Sequence, residues 1–310
     1  MQQEFKYADL LDDDVFKLVF GQESSKDVMI EFLNQVIEDR NIVDLTFIDK
    51  EMKSVNRGEK NSIYDMACDT DDGTRIVVEV QRRKQATYVE RAIYYSTFQV
   101  RNQVNAGSDD YAFCPVYVIN ILDFSLDENS GNPDVRTMYR LYEEKTHTLL
   151  TDKLTFIFLE LKKFNKTEEE LDGNILEGMY FCFRNMAKLR ARPKALAHEV
   201  FKKMFHICEL INMDELTRFK IITKMTTERD LRNQMAYAKK EAIAEGRAEG
   251  LAEGRAEGLA EGRAEGRAEG RAEGRAEGRA EIARNLKAAG VDYAIISSAT
   301  GLALEDVEQL

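Results

Sequence analysis

The segment Asp71-Asp72-Gly73 stands between Thr70 and Thr74 and between two runs of alternating character, and it sets a β-hairpin before anything else is read. Gly73 suits the left-handed position of a three-residue loop. With that loop Thr70 pairs with Thr74, and counting back along both arms sets Asp65 directly opposite Glu79. Side chains alternate along a strand, so Ile76, Val78 and Val80 turn to an apolar face while Glu79 and Gln81 share the other.

Two carboxylates facing each other across a ladder have Cβ atoms roughly 5 Å apart and repel unless something neutralises them. A divalent cation would do so. Mg²⁺, or Mn²⁺ in its place, takes oxygen ligands and keeps several waters, so Asp65, Glu79, the Val80 carbonyl and a substrate phosphate make a reasonable shell. Such an ion stabilises charge on a phosphoryl group under attack, and Gln81, one pleat along, is placed to orient a water. The alternative is an ordinary hairpin whose acids sit on its solvated face.

The order of short motifs around this hairpin carries more than any one of them. Asp14-Val15-Phe16-Lys17 precedes Phe20-Gly21 and Phe32-Leu33-Asn34; then come Asp65 and Val78-Glu79-Val80-Gln81. Tyr88, Arg91, Tyr94 and Tyr95 follow, then Pro115 to Ile119 and Glu160-Leu161-Lys162-Lys163-Phe164. In this order the chain resembles the bacterial PD-(D/E)XK nuclease family transposases, related to the Rpn recombination-promoting nucleases. The resemblance implies metal-dependent cleavage of DNA phosphodiesters, with Asp65 and Glu79 as metal ligands and Gln81 where a lysine usually stands.

An amide offers only neutral hydrogen bonds where a lysine offers a charged donor, so position 81 puts activity, more than fold, in question. Lys17 is one candidate for the missing cation. Asp14 is a further site candidate, its alternative being the N-cap of the first helix. Glu31 on that helix is a weaker acidic candidate beside its reading as a solvent-facing residue.

Charge excludes one class of nucleic-acid protein. At a formal net charge of −12 the 310-residue chain cannot coat DNA by positive charge alone. A local cleft remains open to it. Arg82-Arg83-Lys84 and then Arg91 and Arg101 follow Glu79, with Glu90 the only acid among residues 82–105, and a phosphate backbone is expected there. No stretch approaches the roughly 20 apolar residues of a membrane span. The acidic start is unlike a signal peptide, so a cytoplasmic protein is expected. Cys68, Cys114, Cys182 and Cys208 show no paired spacing and read as small buried residues. His147, His198 and His206 likewise lack metal spacing.

Hydrophobic patterning predicts one helix over residues 14–40 with Val28, Phe32 and Val36 on a stripe, a strand at 45–50, the hairpin, and a basic helix over 86–105. Further strands are expected at 116–122, 138–143 and 154–161, the first a continuous apolar run suited to a sheet centre. The expected fold is α/β: a PD-(D/E)XK, restriction-endonuclease-like mixed-sheet core with helices on both faces, then a helical segment and a long repeat helix. Residues 1–166 form the nuclease-like domain, 167–243 an all-α segment interrupted near Pro193, 244–281 the repeat and 282–310 a short helical tail.

The repeat is nine consecutive Ala-Glu-Gly-Arg tetrads over residues 244–279, with Leu251 and Leu259 replacing two arginines. Flanking sequence favours a helix, yet each glycine costs about 1 kcal/mol relative to alanine, and i,i+4 spacing stacks like charges. Each tetrad advances about 40° around the helix, so a glycine stripe winds over its surface. Self-association through that stripe is expected, a homo-oligomer with Glu-Arg pairs between chains; a flexible spacer is the alternative. The tail, with two short helices around Thr300-Gly301, has almost no side chain suited to base edges and reads as a cap or protein contact.

These readings converge on a Mg²⁺-dependent DNA endonuclease. The same fold without activity, as a nucleic-acid-binding or oligomeric interaction module, is the alternative that Gln81 leaves open.

Overall fold

In the computed structural model, which describes residues 5–48, 51–52, 62–104, 110–126 and 131–310, the chain enters through two helices rather than one. The first, α1 (Asp13–Phe20), is capped by Asp12, whose carboxylate accepts the N–H groups of Asp14 at 3.0 Å and Val15 at 3.3 Å. The single helix expected over 14–40 breaks at Gly21, and a 3₁₀ turn, Glu23–Ser25, follows. There the Ser25 hydroxyl bonds the carbonyls of Leu18 and Gln22, competing with the helical ladder. Helix α2 (Lys26–Val36) then buries Val28, Phe32 and Val36 as the periodicity predicts, together with Met29 and Leu33.

Strands β1 (Leu45–Phe47), β2 (Glu51–Met52), β3 (Ser62–Ile63), β4 (Met66–Thr70) and β5 (Arg75–Gln81) lead to α3 (Tyr88–Arg101). After it come β6 (Val116–Leu122), β7 (Arg136–Tyr142) and β8 (Leu149–Glu160). Six of these strands make one mixed sheet in the order β1-β4-β5-β6-β8-β7, while β2 and β3 pair with each other. The hairpin has the expected register: Met66 opposes Val78, Thr70 N–H donates to Thr74 O at 2.9 Å, and Gly73 adopts φ +81°. Parallel pairing on either side of β6 buries it on both faces, which explains its unbroken apolar run.

One face of the sheet, carrying Ile76, Val78 and Val80, packs into the main core; the other, carrying Val77, lies in a second cluster with Val118 and, from α3, Tyr95 and Val100. The helices expected as a separate segment over 167–243 belong to that main core. Helices α4 (Ile175–Asn185) and α5 (Glu199–Cys208), separated by the stretch containing Pro193, bury Met179, Phe183, Phe201 and Met204 in it. The Phe183 ring lies 5.8 Å from Phe20 and 5.9 Å from Phe32. Contacts divide the chain into Met1–Arg229 and Asp230–Leu310, so the division falls well beyond residue 166.

Helix α6 (Glu215–Ala288) runs unbroken through the repeat. Around the nine repeat glycines nothing lies within 4 Å of where a Cβ would stand. Beyond it α7 (Tyr293–Thr300) ends on Gly301 at φ +70°, and α8 (Leu304–Gln309) follows. Ala283, Ile296 and Val307 form a small core there. Three cysteines are buried as expected, but Cys114 is exposed beside the hairpin turn, where its sulfur lies 3.5 Å from the place of a Gly73 Cβ. Among the described residues no helix is long and apolar enough to cross a membrane.

Candidate active site

The register that pairs Met66 with Val78 would bring Tyr64 to Val80, but β4 begins only at Met66. The Asp65 carboxylate takes the vacated place, its Oδ2 accepting the Val80 N–H at 2.7 Å. In an antiparallel pair the N–H and C=O of one residue point to the same edge. The Val80 carbonyl is thereby turned to the Asp65 side.

Glu79 and Gln81 emerge on the opposite face from Val80, as alternation requires, and a single guanidinium from α3 meets both. Arg91 Nη2 donates to Glu79 Oε1 at 2.9 Å and to Gln81 Oε1 at 2.8 Å, while Nη1 donates to Gln85 Oε1 at 3.0 Å. The guanidinium carbon lies 5.1 Å from the Tyr88 ring centre and 5.8 Å from that of Tyr95. Even so, Glu79 is pushed up to about 8, first by burial and then by the Asp65 charge, which together outweigh Arg91. A cation beside two acids that repel in this way would relieve the repulsion.

Asn120, opposite Glu79 in the β5-β6 register and buried, accepts the Tyr88 hydroxyl at 2.9 Å and donates to the carbonyls of Val118 and Ile157. Burial and the neighbouring Glu79 push the Tyr88 hydroxyl well above its ordinary range, so it stays a donor. Tyr88 thus braces the ring face on which Arg91 rests.

The other sequence candidates separate. Asp14 turns to α6, pairing with Lys220 at 3.0 Å and with Lys224, and these ammonium groups hold its carboxyl below the usual range. The N-cap is Asp12, not Asp14, and the α1 acid whose charge reaches Glu79 is Asp13. Successive helical residues point about 100° apart, so neighbouring acids of Asp12-Asp13-Asp14 face different surroundings. Lys17 is half-buried, its carbonyl accepting from Gly21 N–H at 3.0 Å and the Gln22 amide at 3.4 Å. Glu31 accepts from Gln35 at 3.0 Å on its own helix.

The basic run also divides. Arg82 is built into the fold, donating to Leu11 O at 2.8 Å and pairing with Asp9 at 2.9 Å. Arg83 pairs with Glu228 at 3.0 Å. Glu228 also lines a cavity of about 390 Å³ with Asp12, Asp13, Arg82 and Lys224. Lys84 is exposed.

A family model described as PD-(D/E)XK nuclease family transposase matches residues 10–238, which is most of the chain and spans the six-stranded sheet, α1 to α5 and the start of α6. The chain belongs to that family. No curated protein and no solved structure matches it. PD-(D/E)XK nucleases generally use divalent metals, and the donor set here suits one of the hard-cation type. Among the described residues no three His, Cys, Asp or Glu side chains gather into a closed cage. Asp65, Glu79 and the Val80 carbonyl would supply one edge of a shell and leave the remainder to water and substrate, as Mg²⁺ prefers.

In this PD-(D/E)XK nuclease family transposase, Asn120 is the one polar residue within an otherwise apolar strand, and that departure marks it in the sequence.

Proposed function

We propose that the chain is a metal-dependent DNA endonuclease of the recombination-promoting type, acting in the cytoplasm on phosphodiester bonds. The observation that carries this reading is the pairing of Asp65 and Glu79 at one open strand end, with Glu79 raised by its neighbour and a guanidinium beside it. Asp65, Glu79 and the Val80 carbonyl would hold Mg²⁺ or Mn²⁺, which would supply positive charge against the phosphoryl oxygens and make an adjacent water a better nucleophile.

The chain's own groups do the rest. Asp65 is held in place by the Val80 N–H, which fixes the direction of its carboxylate. Gln81 orients the attacking water, whose oxygen bonds phosphorus as the bond to one sugar oxygen breaks. That sugar oxygen leaves with a proton, and the second proton passes to solvent. Lys84 lies after Glu79 where the strand backbone would run, while Arg82 serves as a strut and Arg83 is paired with Glu228.

Cleavage of supercoiled plasmid in Mg²⁺ or Mn²⁺ tests this, comparing the native chain with Asp65→Ala and Glu79→Ala. Loss of nicking in both variants is expected; equal activity in all three overturns the reading. A second reading, a nucleic-acid-binding module without chemistry, draws on the amide at position 81. It predicts DNA retention with no cleavage that depends on Asp65.

Self-association through α6 belongs to the same proposal. Within each tetrad the glycine lies between the Glu and Arg stripes, about 100° from either. Facing glycine stripes in a parallel pair set Glu of one chain against Arg of the other on both flanks, whereas an antiparallel pair sets like against like. Sedimentation of the full chain beside a variant lacking residues 244–279 tests it. That deletion removes about ten whole turns and keeps the helix in phase. An unchanged sedimentation coefficient per mass would end the idea.

A further inference from the structure

We infer that Arg91 is the catalytic cation of this site, brought from α3 to stand where the motif's lysine would have stood and coupled to position 81 through Gln81. The inference rests on the nuclease reading above and gives that site the charge its motif lacks.

A lysine at position 81 would extend from β5 beside Glu79. Gln81 cannot carry charge, but its Oε1 accepts Arg91 Nη2 at 2.8 Å, so the amide ties the guanidinium to the strand position where the ammonium would be. The same nitrogen reaches Glu79 at 2.9 Å, which puts the cation against a metal-binding candidate and not merely near it.

Three further contacts fix the group. Gln85 holds Nη1, the Tyr88 and Tyr95 rings flank the plane, and the Tyr88 ring is itself pinned through its hydroxyl to Asn120. A forked guanidinium held on aromatic faces loses little freedom when it meets a phosphoryl oxygen. Preorganisation of this kind is what stabilises charge developing in a transition state. The Arg91 side chain keeps 26% of its surface open, so the group is reachable. By contrast Arg82 and Arg83 spend their charge on Asp9 and Glu228.

A phosphate grip and a catalytic cation separate by experiment. The full chain, Arg91→Gln, Arg91→Lys and the double variant Arg91→Gln/Gln81→Lys are compared in plasmid cleavage with Mg²⁺. Binding of a fluorescent duplex in Ca²⁺ and melting temperature are read alongside. The expected result is loss of cleavage on the order of a hundredfold for Arg91→Gln with duplex affinity little changed. Moving the cation to position 81 should then recover most of the lost rate.

Cleavage by Arg91→Gln at the parent rate overturns the inference, as does a double variant no better than the single. An affinity loss that matches the rate loss also overturns it, because that marks a grip. If Arg91→Gln does not fold, Arg91→Lys, which keeps the charge without the fork, carries the comparison: partial activity supports the assignment and parent-level affinity with no cleavage in either lysine-bearing variant overturns it. A parent chain without Asp65-dependent cleavage brings down the nuclease reading and this inference together.

Discussion

The Asp65 carboxylate accepts the N–H of Val80 at 2.7 Å, in the place a ladder carbonyl would have filled had β4 begun two residues earlier. One carboxylate oxygen therefore maintains the sheet edge. Asn at this position keeps an acceptor but loses the charge. Asp65→Asn is expected to melt near the parent temperature and to lose cleavage, while Asp65→Ala loses both, with a stability deficit of about 1 kcal/mol or more from the unpaired amide. Thermal melts beside plasmid nicking decide; equal melting of the two variants would deny the amide bond its role.

Glu79 makes the metal-free protein sensitive to pH. The unfolded carboxyl titrates near 4.5, whereas in the folded chain it is pushed up to about 8. Between those values the folded state holds a proton that the unfolded state has released, so stability falls as pH rises through that window and levels off above it. Urea denaturation in EDTA at steps across the window should show this slope, and Glu79→Gln should flatten it. Since a cation must displace the same proton, Mg²⁺ or Mn²⁺ affinity should climb over the same range.

Gly178 on α4 tests the seam between α4 and α5. A Cβ there would stand 2.4 Å from Phe201 Cζ and 2.7 Å from Leu196 Cδ2, so an alanine must push both side chains aside. Gly178→Ala should lower stability by about 1–3 kcal/mol. Denaturant melts measure it, and an unchanged midpoint would mean that the seam is looser than its distances.

The repeat glycines predict the opposite sign. With nothing within 4 Å of their Cβ positions, replacing one by alanine gains about 1 kcal/mol of helix propensity with no clash in the single chain. Gly262→Ala should raise the helical signal in circular dichroism and its melting point. A fall in both, growing with protein concentration, would instead reveal a partner chain packed on the glycine.

Much of the sheet could be read from residues because its cause is local. The Gly73 turn and the two-residue period set the register from Thr70-Thr74 back to Met66-Val78, and six of the seven residues of β6, all but Asn120, announced a buried strand. The periodic stripe of α2 was likewise visible, since burial follows helical spacing. The break at Gly21 was not, because it depends on which carbonyls Ser25 finds.

Sequence by itself determined the hairpin and its register, the neutral residue at position 81 and the tetrad repeat, all of which follow from spacing along one segment. Only the tertiary structure decided that Asp14 turns to Lys220 and Lys224, that α4 and α5 complete the sheet's core, and that Arg91 rather than Lys17 reaches Gln81. Those choices join residues on different elements, and their outcome is set by how helices pack on a sheet, which no single stretch of chain encodes.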